Sequence, residues 1–119
     1  MLPVWSKWFA HDKARASLVG IDVLARDAAA FARFEDGLPR MHAGWFDEAI
    51  ELTDWDHIPA GYIQTSAIYE HATAEAQRRG WPVANLHGTH LHPTLQPEET
   101  ADAIFAMSRQ LVSGAEPAV

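Results

Sequence analysis

The residues with the most chemistry per position lie in one short run, His87-Gly88-Thr89-His90-Leu91-His92-Pro93. Three imidazoles within six residues can serve as proton acceptors, as metal ligands or as plain polar surface groups. A histidine placed just beyond a strand can take a proton from a nucleophile on a neighbouring strand. A His-x-His pair also suits a first-row transition metal. Alternation along the loop, however, points His87 away from His90, and no metal and no organic cofactor is expected. Gly88 suits the sharp departure of a chain from a strand. His90, two residues further on, is the candidate base.

What must position this loop is legible on either side of it. Ile58–Thr65 reads as a short strand, and Ser66 can cap a helix over about 67–79 that Gly80 closes. Trp81–His87 reads as a second strand. After the loop 88–96, Pro97 opens a long helix with Glu98 and Glu99 in its first turn, favourable to the helix dipole. Ala101, Ile104, Phe105, Ser108, Leu111 and Val112 recur at spacings of three and four, and predict the face that packs on the sheet. Strand–helix–strand–helix implies parallel strands. Ligands of open parallel sheets bind beyond the carboxyl ends of the strands, where the His90 loop lies.

Residues 1–57 differ in character. Asp27 can cap a helix over Ala28–Phe34 that Gly37 and Pro39 end, and Gly44–Leu52 is a second helical candidate. Leu18–Leu24 fits either a strand or a short helix. The segment is rich in aromatics, which either pack its helices together or line an apolar cavity, as in a lid over a small-molecule site. In the second case Trp45, Phe46 and Trp55 are the candidate substrate-pocket residues. The expected organisation is therefore a helical, lid-like segment over 1–57 and a βαβα segment over 58–119.

Composition narrows the function classes. The 119 residues are 48% hydrophobic and 21% charged, ordinary for a globular domain. Nine Lys and Arg stand against sixteen Asp and Glu, a net charge of −7, and no basic cluster exceeds Arg78-Arg79. Nucleic acid and anionic membranes are thus not expected partners. With no Cys, thiolate catalysis and disulfides are excluded. Neither a signal peptide nor a membrane span is expected, and the cytoplasm is the expected compartment.

The run from Trp81 to Ile104 resembles the C-terminal end of an α/β-hydrolase, in which a last strand leads to Gly-x-His or Gly-His and Pro-Glu opens the final helix. Ile58-Pro59-Ala60-Gly61-Tyr62-Ile63 is similar to the penultimate strand, and the aromatic-rich 1–57 to the lid. The resemblance implies a partial α/β-hydrolase-like fold with a short parallel sheet. It makes His90 the triad histidine and an ester, thioester or amide the substrate. Its nucleophile elbow, Gly-x-Ser-x-Gly, is missing: Ser6, Ser17, Ser66, Ser108 and Ser113 all lack the flanking glycines. The family's acid would fall near Ile68, where the nearest carboxylate is Glu70. The chain by itself is then expected to be inactive, as a truncated or split hydrolase needing a complementing N-terminal half. Too few strands for a covered sheet also predict self-association, as a homo-oligomer, or partial unfolding when dilute. The alternative from a different class is a non-catalytic α/β binding or dimerisation protein with a Trp-rich apolar pocket; a third reading is a His-ligated metal protein.

Overall fold

A computed structural model of the chain describes residues 1–115. They form two units, Met1–Thr53 and a second from Asp54 onward. In the first, a 3-10 helix, Trp5–Phe9, precedes α1 (Lys13–Val19), whose N-cap Asp12 accepts the Arg15 N–H at 3.0 Å. Gly20, left-handed at φ 95°, passes the chain directly into α2 (Ile21–Leu24). Leu18–Leu24 is therefore helical with a glycine break. Its Val19, Ile21 and Leu24 are the buried apolar residues of this unit. α3 (Ala28–Asp36) is capped by Asp27, which accepts the Ala30 N–H at 3.1 Å, and Gly37 follows its end. Ser6 Oγ donates to Glu35 Oε2 at 2.7 Å, and Trp5 meets Phe9 and Phe34 edge-on. The helix expected over 44–52 shrinks to a 3-10 turn, Ala43–Asp47. Short helices draw most of their stability from packing a face, and Ile50 and Leu52 beyond this turn are exposed.

The second unit is a small α/β arrangement. β1 (Tyr62–Ser66) and β2 (Val83–Gly88) pair in parallel, with Tyr62 opposite Val83 and Gln64 opposite Asn85. β1 starts at Tyr62 rather than Ile58, since Pro59 has no N–H to give a ladder; the Tyr62 N–H donates to Pro82 O at 3.0 Å. The crossover enters through a 3-10 turn, Ala67–Tyr69, capped by Ser66 Oγ, which accepts the Ile68 N–H. α4 (Glu70–Arg78) then lies on β1 through Ala76 and Thr73. Thr73 Oγ1 donates to Oε1 of the buried Gln64 at 2.6 Å, and Gln64 Nε2 donates to Ser66 O. α4 closes in a Schellman motif: the Trp81 N–H donates to Ala76 O and the Gly80 N–H to Gln77 O. Gly80 takes the left-handed φ of 74° that the motif requires and that a Cβ would disfavour.

Beyond β2 come a short helix, α5 (His92–Leu95), and α6 (Pro97–Ala115). α6 corrects the expected packing face. Its buried residues are Thr100 and Met107, with Ala103 and Leu111 half-buried between and beyond them. Ile104, Phe105 and Val112 are instead 52%, 65% and 60% exposed, and Ser108 is exposed as well. The reason is a close approach: Met107 lies so near Gly61, just before β1, that a Cβ there would strike its sulfur. A sheet of two strands has no further width to cover the second stripe. Among the described residues no helix is long and apolar enough to cross a membrane.

Candidate functional site

At the carboxyl ends of the strands the ladder is irregular. Gln64 pairs with Asn85 and Ser66 with Gly88, so β2 carries one residue more than β1 over this interval. The surplus is absorbed at His87, which has a left-handed φ of 53°. Histidine is among the few side chains enriched in that region, and bulges are frequent beside functional sites. The His87 N–H, displaced from the ladder, donates to Asn85 Oδ1 at 2.9 Å, and its ring is exposed.

Gly88 then does something specific. The imidazole of His92 lies directly against its Cα, where any Cβ would collide with the ring. His92, which opens α5, is only 7% exposed; its Nε2 lies 3.4 Å from Glu99 Oε2 in the first turn of α6. The ring thus wedges β2, α5 and α6 together and fixes the path of the loop between 88 and 92.

His90 stands on that loop, exposed, two residues past the end of β2. Its Nδ1 is 2.7 Å from Tyr69 Oη, with the ring centroids 5.8 Å apart and the planes at 43°. Tyr69 is three residues past the end of β1. The two strand-end loops therefore meet in one side-chain pair. A depression of about 320 Å³ opens at this end of the sheet, lined by Gln64, Ala67, Glu70, Asn85, His87 and Gly88. Ser66 ends β1, but it is 2% exposed and its hydroxyl caps the turn that follows. Glu70 is the exposed first residue of α4.

The candidate pocket aromatics are divided. Trp45 and Phe46 belong to the first unit and are largely exposed; Trp45 packs near His42, and Phe46 near Trp8. Trp55 belongs to the second unit and packs on Trp81, the ring centroids 5.6 Å apart and the planes tilted at 51°. The Arg79 guanidinium lies over both indoles, at 5.6 and 5.3 Å, and pairs with Glu75. Trp81 precedes β2, so this cluster marks the amino end of the sheet, away from His90 by the length of a strand. A strand of six residues spans about 20 Å.

Among the described residues, no group of three or more His, Asp or Glu side chains is placed to hold a metal ion. His87, His90 and His92 point into three different environments, exposed backbone bulge, Tyr69 and Gly88. Tyr69 is the site residue that sequence reasoning missed. Looking for an acid after the first strand means looking for Asp or Glu, and a phenol in that place passes unnoticed. Its position just past the strand end was the available signal. No protein-family model, curated protein or solved structure matches the chain.

Proposed function

We propose that this chain is the C-terminal part of an α/β-hydrolase, with His90 as the histidine of its Ser-His-acid machinery. The observation that supports this most is the placement of His90. It lies just past the carboxyl end of the second strand of a parallel crossover, and its Nδ1 is held by a residue from the loop after the first. In such machinery Nε2 takes the proton of the attacking serine and returns it to the leaving group, while the group at Nδ1 orients the ring. The helical first unit corresponds to the lid in this reading, with Trp45 and Phe46 as its candidate pocket residues; Trp55 lies in the second unit, at the end of the sheet away from His90, and drops out of the pocket. The substrate class is an ester, thioester or amide, and the residues require no cofactor.

The serine is to be supplied by a complementing half that carries the missing strands and Gly-x-Ser-x-Gly. An imidazole with no positioned hydroxyl has nothing to activate, because triad members act as a unit. The test is hydrolysis of an activated aryl ester by this chain alone, by an upstream-encoded N-terminal half alone, and by the two mixed. Activity is expected only in the mixture, and His90→Ala is expected to reduce it to the sum of the separate halves. Unchanged hydrolysis with His90→Ala overturns the assignment, and an inactive mixture leaves the non-catalytic binding reading in its place.

A further inference from the structure

The hydroxyl beside His90 Nδ1 differs from a carboxylate in what it can do. We propose that Tyr69 is the positioning residue of His90, and that it holds the resting imidazole as the Nε2–H tautomer. That Tyr69 occupies the acid's place rests on the hydrolase reading; the tautomer rests on the contact itself.

Both partners are held by their backbones. Tyr69 closes the turn that Ser66 caps and leads directly into α4. His90 is bracketed by Gly88 and the buried ring of His92, which lie against each other. The 2.7 Å contact therefore joins two anchored segments.

A neutral imidazole has one N–H and one lone pair, on different nitrogens. A carboxylate can only accept, so beside Nδ1 it forces the hydrogen onto that atom and leaves Nε2 as a base. A phenol both donates and accepts. Of the two groups the imidazole nitrogen is much the stronger base, so the phenolic hydrogen is directed to Nδ1. The ring hydrogen is then on Nε2. When the ring is protonated, the hydroxyl rotates and accepts from Nδ1–H, and the contact persists. Tyr69 thus orients the ring in both charge states, yet rests it as a donor at Nε2. To take a serine's proton, His90 must first exchange tautomers. In the acyl-transfer machinery the wrong tautomer is costly even when the geometry is intact.

Ionised tyrosine is an acceptor only, and this supplies the test. In the ¹⁵N-labelled full chain, long-range ¹⁵N–¹H correlation reads each imidazole nitrogen as pyrrole-type or pyridine-type. Below tyrosine ionisation, His90 Nε2 is expected to be pyrrole-type and Nδ1 pyridine-type. As pH rises until Tyr69 ionises, followed by its ¹³Cζ shift, the two are expected to exchange identity. His92, buried against Gly88, is the internal control for the fold and is expected to stay unchanged. Tyr69→Phe removes the exchange, and 3-fluorotyrosine incorporation, which makes the phenol more acidic, moves it to lower pH. His90 nitrogens that do not respond to Tyr69 ionisation, or that respond equally in Tyr69→Phe, overturn the proposal. So does a pyrrole-type Nδ1 in the resting chain. These measurements need no complementing half. An inactive reconstituted pair therefore removes the hydrolase reading while the tautomer stands, and an absent exchange in an active pair removes Tyr69 alone.

Discussion

A methyl group at position 88 would overlap the His92 ring, and neither side can yield cheaply. The strand end is fixed by its pairing with Ser66, and the ring is enclosed beside the first turn of α6. Gly88→Ala is therefore expected to lower stability by about 1–3 kcal/mol, the usual range for overpacking, read as a lower urea midpoint at unchanged slope. The polar core of the crossover is equally demanding. Gln64 is buried, and its carbonyl oxygen accepts from Thr73. Thr73→Val keeps the shape, removes that donor and is expected to cost about 1–3 kcal/mol in the same titration. At this scale the sequence carried part of the site. Counting two residues past Gly88, where the chain leaves the second strand, locates His90 in its loop. It did not disclose the burial of His92, because a histidine in a polar loop has no periodicity to betray its environment. Gly88 reads as a turn residue, whereas its missing side chain is what admits the ring.

Elements were legible where their signals are local. Asp27 and Gly37 mark α3, and Gly80 closes α4, because caps are satisfied by the backbone groups next to them. The parallel pairing followed from the interposed helix. Faces and edges were less legible, since they depend on what lies opposite. α6 offers two stripes at helical spacing, one with Thr100, Ala103, Met107 and Leu111, the other with Ile104, Phe105 and Val112. The larger side chains favour the second on sequence grounds, yet the first is buried because Gly61 admits Met107. Met107→Ala is therefore expected to cost about 2–5 kcal/mol as a cavity-forming change. Phe105→Ala in the isolated chain is expected to stay within about 0.5 kcal/mol of the parent, as an exposed substitution. Thermal unfolding of the two variants side by side distinguishes the stripes: equal losses would mean that both faces are packed.

At the scale of the molecule the decisive quantity is how little apolar surface the second unit encloses. Parallel sheets are ordinarily covered on both faces and built of several strands, whereas this one has two, and each has an unpaired edge. Among the described residues, the buried apolar ones of the second unit are only Ala76, Leu91 and Met107, while Ile58, Ile68, Ile104, Phe105 and Val112 are exposed there. Unpaired strand edges and exposed apolar side chains both favour association with another chain. The isolated protein is therefore expected to self-associate, its weight-average mass in sedimentation rising with concentration. Replacing Ile104 and Phe105 together by Gln removes the largest exposed side chains of the outer α6 stripe and leaves the buried stripe intact. That double variant is expected to keep its helical circular dichroism and lose most of the concentration dependence. Under the hydrolase reading proposed above, a half that extends the sheet is expected to compete with self-association, giving a one-to-one complex as it is titrated in. A parent chain that stays monomeric at every concentration and unfolds in one cooperative transition would show that two strands suffice, and would count against the hydrolase reading proposed above.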